Sequence, residues 1–175
     1  HHVEKVTNQA YIDNNAVSVT SIVMNPKNGE ILAMASKPDY DPNSPREAKF
    51  EVYAKQLEKA EDVDQRSAII SKMWRNPSVN DIYEPGSTFK LITASAALEE
   101  DKVFADEVFY DSGYVKIKDR TIKNWTSRPY GSLTFRKAVE ESVNTVFVQV
   151  ANRLGAETFR KYIEAFGYGS KTGIE

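Results

Sequence analysis

Two short segments near the N-terminus show the alternation of apolar with polar or small residues that is typical of β-strands. The first spans Ala16–Met24 and the second Glu30–Ser36, and a polar turn of sequence Asn-Pro-Lys-Asn-Gly separates them. Gly29 ends this turn after an asparagine, and glycine readily adopts the positive φ that tight turns require. The pattern therefore predicts an antiparallel hairpin of these two strands.

Helical periodicity begins after a proline-rich connection. Three prolines fall within residues 38–45, which predicts an irregular surface segment. Residues 46–75 are dense in charge, and apolar side chains recur there at steps of three and four residues. This spacing predicts a charged helical insertion made of one or two amphipathic helices. Its polar face can be interpreted as a solvated surface or as a contact for partner proteins.

The second half of the chain mixes helical patterns with short β-rich stretches. Residues 104–121 combine β-branched and aromatic residues with an Asp-Ser-Gly turn, which predicts short strands or irregular structure. Four segments have the apolar spacing of helices: Thr88–Glu100, Leu133–Glu141, Thr145–Leu154 and Glu157–Phe166. Together with the hairpin, they predict an α+β fold.

Composition and charge exclude several classes of function. The 175 residues are 41% hydrophobic, as in a folded domain, and a net charge of −2 offers no broad basic surface for nucleic acid. The absence of cysteine excludes a disulfide, a thiolate metal site and a thiol nucleophile. The adjacent His1 and His2 fit a tag remnant or chance, so we predict neither a metal nor a cofactor. Chemistry is left to hydroxyl, amine and carboxylate groups.

The candidate chemistry lies in the run Ser87-Thr88-Phe89-Lys90, at the start of a predicted helix. Residues three apart share a helical face, so the Ser87 hydroxyl can approach the Lys90 amine. A serine becomes nucleophilic when a neighbouring base takes its proton, and a lysine is such a base only if its pKa falls from about 10.4. Helix N-terminal N–H groups would also stabilise a developing oxyanion. Spacing alone leaves a solvated lysine as the alternative.

The longer run Tyr83–Lys90 resembles the active-site signature of class B penicillin-binding proteins, which are D,D-transpeptidases. The resemblance extends from Ala16 to Glu175 and includes further matches in the family's order: residues 25–36, 40–43, 111–113, 124–125, 131–134 and 142–144. It implies a penicillin-binding transpeptidase fold, similar to that of serine β-lactamases, with the hairpin packed against several helices.

The same resemblance implies a domain organisation. Residues 1–15 are expected to be a lead-in, and residues 16–175 the N-terminal portion of a transpeptidase domain whose C-terminal strands and third motif are absent from this chain. We therefore expect the isolated chain to be weakly active or inactive. Because the hairpin would lack neighbouring strands, we also expect marginal stability or self-association.

Two further site residues are implied by the family's Ser-x-Asn motif. The spelling occurs at Ser78–Asn80 and at Ser142–Asn144, and we choose the second because it lies between two predicted helices. Ser142 would relay a proton and Asn144 would bind the substrate backbone, whereas Ser78 is predicted to lie in a loop. Lys171-Thr172-Gly173 matches the family's third motif in spelling, but follows Ser142 too closely to be that motif.

The implied activity is peptidoglycan cross-linking. Ser87 would attack the D-Ala-D-Ala carbonyl of a stem peptide, and β-lactams would acylate the same serine. The parent protein would act at the extracytoplasmic face of a bacterial membrane, with stem peptides, β-lactams and cell-wall synthesis proteins as partners. The alternatives are a serine β-lactamase or β-lactam sensor, which Asn144 and the Glu-Pro-Gly lead oppose, and a non-catalytic cell-wall assembly module.

Overall fold

The computed structural model describes residues 1–126 and 128–174. Contacts within the chain define two compact units, of which the first comprises residues 1–83 with residue 174 and the second residues 84–173.

The first unit contains one hairpin and four helices: α1 (His2–Asp13), β1 (Val19–Met24), β2 (Ile31–Lys37), α2 (Glu51–Glu58), α3 (Val63–Trp74) and α4 (Pro77–Asn80). Strands β1 and β2 are antiparallel, with Val19 opposite Lys37. In the connecting turn Gly29 has a φ of 78°, and its N–H donates to the Asn25 carbonyl at 2.9 Å. The predicted hairpin is thus confirmed, and the predicted turn glycine does adopt a positive φ.

The chain segments before and after the hairpin are largely helical. Helix α1 occupies most of the lead-in expected at residues 1–15, and its Thr7 hydroxyl donates to Ser21 Oγ in β1 at 2.9 Å. The charged segment at 46–75 contains α2 and α3, and α3 begins after Asp62, whose carboxylate accepts the Gln65 N–H at 2.7 Å. Such a cap pairs one of the N–H groups that a helix start leaves free.

The prediction of a loop at Ser78 is wrong, because this residue lies in the single helical turn α4. Asn76 precedes the turn and accepts the Ser78 N–H through its side chain at 3.0 Å. Pro77 occupies the first helical position, where its missing N–H is not needed. The Asn76 cap and Pro77 at the first helical position therefore start a helix, although the proline had suggested a loop.

The second unit begins with a 3₁₀ turn, Gly86–Phe89, that continues into α5 (Lys90–Glu99). The remaining elements are β3 (Val108–Asp111), β4 (Tyr114–Ile117), β5 (Arg120–Lys123), β6 (Gly131–Thr134), α6 (Phe135–Glu140), α7 (Asn144–Leu154) and α8 (Ala156–Ala165). Strand β3 pairs antiparallel with β6, and β4 pairs antiparallel with β5.

Strand β6 corrects the prediction of a helix starting at Leu133. The segment Gly131–Thr134 pairs with β3, so that the buried Leu133 lies opposite the buried Phe109. The helix starts only at Phe135, after Thr134 accepts the Lys137 N–H at 3.2 Å as a helix cap. Cross-strand pairing of two apolar side chains outweighs the local helical pattern here.

The core of the second unit lies between α5, α7 and the β3–β6 pair. It consists of thirteen buried side chains: Ala94, Ala96, Ala97, Val103, Phe109, Leu133, Phe135, Ala138, Val143, Val146, Phe147, Val150 and Leu154. The ring of Phe135 contacts the rings of Phe109 and Phe147 at centroid distances of 5.9 and 6.0 Å. This packing fixes the start of α5 relative to the start of α7, and the candidate site lies at those two starts.

Candidate active site

The site is organised around the amine of Lys90, the first residue of α5. Its Nζ donates to the Ser142 carbonyl at 2.7 Å, to Ser142 Oγ at 2.8 Å and to Asn144 Oδ1 at 2.5 Å. The amine also lies 5.3 Å from the centroid of the Phe147 ring, within the range of a cation–π contact. Three of the four predicted site residues therefore meet at one nitrogen.

The electrostatic environment of this amine contains two opposing effects. Burial lowers the pKa of Lys90, because the charged ammonium loses hydration. The three oxygen acceptors around Nζ favour the protonated form, since an ammonium has three N–H donors to give them. The two effects therefore act on the pKa of Lys90 in opposite directions.

Ser87, the fourth predicted site residue, lies in the 3₁₀ turn that directly precedes α5. In this geometry side chains three residues apart eclipse one another, so Ser87 and Lys90 point to the same side. The predicted Ser87–Lys90 hydrogen bond is not formed, and within the described part of the chain the Ser87 hydroxyl has no hydrogen-bond partner. The side chain is exposed. It is thus an accessible hydroxyl beside a partly buried amine.

Ser142 occupies a strained turn between α6 and α7. Its φ of 54° is in the left-handed region, a backbone conformation that residues other than glycine rarely adopt. The Ser142 N–H donates to the Val139 carbonyl at 3.1 Å, and the Val143 N–H donates to the Ala138 carbonyl at 2.9 Å. These bonds close α6 and hold both the hydroxyl and the carbonyl of Ser142 towards Lys90. Backbone strain of this kind costs about 1–3 kcal/mol and is concentrated at functional sites.

The Asn144 carboxamide is held from both ends. Its Nδ2 donates to the Lys123 carbonyl at the end of β5, at 2.7 Å, and its Oδ1 accepts from Lys90. Because a carbonyl oxygen can only accept, the bond to Lys123 orients the amide nitrogen towards β5 and the amide oxygen towards the lysine. Sequence reasoning missed the role of Lys123, since a backbone carbonyl leaves no signal in side-chain identity.

The two matches that were set aside have other surroundings in the structure. Ser78 belongs to the first unit, where its hydroxyl lies 3.0 Å from Ser36 Oγ. The run Lys171–Gly173 follows α8 in a segment without helix or strand. In the described residues no group of three or more metal-ligating side chains occurs, and no helix there has the length and apolar character needed to cross a membrane.

Comparison with known proteins identifies the family of this chain. Residues 19–175 match the model of the penicillin-binding protein transpeptidase domain. The chain belongs to this transpeptidase family. Within the family, it is 41% identical over 156 residues to stage V sporulation protein D of Bacillus subtilis, a match that covers 89% of this chain and 21% of that protein. The chain thus spans about a fifth of this curated relative.

Solved structures of transpeptidases share the fold. The D,D-transpeptidase domain of a peptidoglycan glycosyltransferase from Eggerthella lenta has a TM-score of 0.69 and 34% identity, over 94% of this chain and 36% of that one. Penicillin-binding protein 3 from Mycobacterium tuberculosis, complexed with aztreonam, has a TM-score of 0.75 and 26% identity, over 99% of this chain and 34% of that one. The predicted α+β penicillin-binding transpeptidase fold is confirmed.

The left-handed backbone at Ser142 leads to a prediction about the stability of two variants. Ser142→Gly and Ser142→Ala both remove the hydroxyl, but only glycine relieves the left-handed backbone. We expect the glycine variant to be more stable than the alanine variant by about 1 kcal/mol, measured as the free energy of unfolding in urea.

The matched control is the same pair of changes at Ser132, in strand β6. There the order should reverse, because glycine weakens a strand by roughly 0.5–1 kcal/mol relative to alanine. Equal stability of the two Ser142 variants would contradict the strain.

Proposed function

We propose that the protein carrying this chain is a D,D-transpeptidase that cross-links peptidoglycan by serine acyl transfer. In this proposal Ser87 is the nucleophile, Lys90 the general base, Ser142 a proton relay and Asn144 a substrate-binding residue. The observation that carries it is the convergence of Ser142 and Asn144 on the amine of Lys90, one turn after an accessible serine. Relatives of this chain that are named peptidoglycan D,D-transpeptidases give it independent support.

The acylation step follows from the positions of these groups. Ser87 Oγ forms a bond to the carbonyl carbon of the penultimate D-alanine, and the hydroxyl proton passes to neutral Lys90. The C–N bond to the terminal D-alanine then breaks. The leaving nitrogen takes a proton from Lys90 through the Ser142 hydroxyl, which lies 2.8 Å from Nζ and can accept one proton while giving another. The amine of a second stem peptide resolves the acyl-enzyme.

Asn144 has capacity left for the substrate. Its amide nitrogen carries two N–H groups, and the Lys123 carbonyl accepts one of them. The second N–H can donate to a backbone carbonyl of the stem peptide. The Asn144 side chain would thus orient both the substrate and the base, Lys90.

β-Lactams would acylate the same hydroxyl, since they present a strained amide in place of the terminal peptide bond. The structure of the Mycobacterium tuberculosis neighbour was solved with aztreonam, which supports this class of ligand for a fold of this kind. In a β-lactam the broken C–N bond belongs to a ring, so the leaving nitrogen stays attached and the adduct persists.

Location and further partners are proposed from the family. The relatives include stage V sporulation protein D of Bacillus subtilis and a peptidoglycan D,D-transpeptidase of Haemophilus influenzae. We place the parent protein at the extracytoplasmic face of the cell membrane, with peptidoglycan stem peptides as substrates and other cell-wall synthesis proteins as neighbours.

A labelling experiment tests the assignment of residues. In the full-length protein, Ser87→Ala should abolish the covalent adduct with a fluorescent penicillin, because no other group supplies the acylated oxygen. Ser142→Ala should slow acylation by about a hundredfold or more, the usual size of a general acid–base contribution. The rates are read from adduct bands on denaturing gels.

Ser78→Ala is the matched control, since it removes the serine of the other Ser-Val-Asn run and should leave the rate unchanged. An adduct that survives in Ser87→Ala would exclude Ser87 as the nucleophile. Rapid turnover of a chromogenic cephalosporin, in place of a lasting adduct, would favour the β-lactamase alternative.

The pH dependence of acylation follows from the state of Lys90. Below its pKa the side chain is an ammonium and cannot take a proton, so the acylation rate should rise with pH. Because burial lowers the pKa of Lys90, the midpoint should lie below the value of about 10.4 for an exposed lysine. Stopped-flow acylation across the pH range measures it. A rate independent of pH, or a Lys90→Arg variant with the same profile, would contradict this role.

We also propose that the 175-residue chain self-associates through its hairpin. Among the described residues β1 and β2 pair only with each other, and they expose apolar side chains, with Ile22 48% and Leu32 60% accessible. Ile22→Lys with Leu32→Lys should shift sedimentation towards the monomer. Val63→Lys, at a 78% exposed site in α3, is the control that should not. A wild-type chain that sediments as a monomer at all concentrations would refute the proposal.

A further inference from the structure

We propose that Asp111 is a positioning residue of this site, whose carboxylate fixes the two backbone segments that hold the Asn144 carboxamide. The inference deepens the proposed function, because it identifies what keeps the amide oxygen of Asn144 on Lys90. In the sequence Asp111 stands out only as part of an Asp-Ser-Gly match, which carries no role by itself.

The carboxylate of Asp111 is fully buried at the end of β3 and accepts four hydrogen bonds. Oδ1 accepts from the Thr145 hydroxyl at 2.5 Å and the Gly113 N–H at 2.8 Å. Oδ2 accepts from the Asn124 side-chain amide and the Tyr130 N–H, both at 2.8 Å. All of these donors belong to the second unit, and each carboxylate oxygen has two of them.

Two of these donors directly follow, in the chain, the two residues of the Asn144–Lys123 hydrogen bond. Thr145 follows Asn144 in α7, and Asn124 follows Lys123 at the end of β5. The Asn144 amide donates to the Lys123 carbonyl, so Asp111 joins the segments on both sides of that bond. The Thr145 N–H lies 3.4 Å from Asn124 Oδ1 and closes the arrangement.

The network requires a charged carboxylate. Burial raises the pKa of Asp111, but the hydrogen bonds from Thr145, Tyr130, Gly113 and Asn124 outweigh this effect and leave the pKa below its usual value. The negative charge also lies at the N-terminus of the eleven-residue helix α7, where the macrodipole favours an anion. An asparagine at position 111 would place an N–H₂ group against two of the four donors, and an amide nitrogen cannot accept their hydrogen bonds.

Loss of the Asp111 contacts has a specific consequence. If Thr145 and Asn124 are no longer held together, the Asn144 carboxamide can turn away from Lys123, and its oxygen leaves Lys90. The protonated amine then loses one of its three acceptors, which lowers the pKa of Lys90 further. Acylation should become slower even though more of the lysine is neutral, because the base is no longer held in place.

The test is Thr145→Val, which keeps the size of the buried side chain and removes its hydroxyl. In the full-length protein the β-lactam acylation rate at high pH should fall by about tenfold to a hundredfold. In the same full-length protein, without any β-lactam, NMR titration of the Lys90 side chain should show a lower midpoint. The Lys90 signal is identified by its absence from Lys90→Met. Thr145→Ser should restore both values, and Asp111→Asn should reproduce both losses.

Thr7→Val is the matched control. Thr7 and Thr145 are equally buried, at 2% exposure, and each hydroxyl donates one side-chain hydrogen bond, but Thr7 lies in the first unit. Its variant should change neither the acylation rate nor the Lys90 midpoint.

The proposal is overturned if Thr145→Val matches Thr7→Val in both measurements, or if Thr145→Ser does not restore them. Loss of folding in both Thr145→Val and Asp111→Asn would also overturn it, because the network would then support the whole unit rather than the site. A wild-type protein that is not acylated would refute the proposed function, while the titration of Lys90 would still decide the role of Asp111.

Discussion

The chemistry proposed for this chain depends on one partly buried amine that is held between three oxygens. Removal of water from Lys90 makes its charge less favourable, while the Ser142 carbonyl, the Ser142 hydroxyl and the Asn144 amide oxygen make it more favourable. In the proposed mechanism this amine has to gain and lose a proton, and the two effects act on its pKa in opposite directions. The amine and its acceptors lie at the starts of α5 and α7, and both helices pack against a shared core.

The price of this arrangement is visible in the backbone. Ser142 adopts a left-handed conformation that a glycine would occupy with less strain, and the closing bonds of α6 maintain it. A glycine would relieve the strain but provide no hydroxyl beside the amine. Stability and chemistry therefore make opposite demands on this one residue, as is common where a functional group must be held in place.

The buried Asp111 carboxylate accepts hydrogen bonds from the turn between β3 and β4, from the residue after β5, from the residue before β6 and from α7. A buried charge is tolerated when every lone pair has a partner, and such a charge constrains all of its donors at once. In our proposal the site thus has two parts: an exposed serine near its amine, and a buried polar network that keeps the amide of Asn144 in one orientation.

The sequence by itself determined the local features of this protein. Spacing placed Ser87 one turn before Lys90, the Asn-Gly turn predicted the β1–β2 hairpin, and resemblance selected Ser142–Asn144 over Ser78–Asn80. These features depend on residues close together in the chain. The tertiary structure decided what depends on distant residues. It made residues 131–134 a strand, because Leu133 pairs with Phe109, and it supplied the Lys123 carbonyl that orients Asn144. It also directed the Lys90 amine to residues more than fifty positions away and left the Ser87 hydroxyl unbonded among the described residues, since the packing of α5 against α7 sets which groups meet.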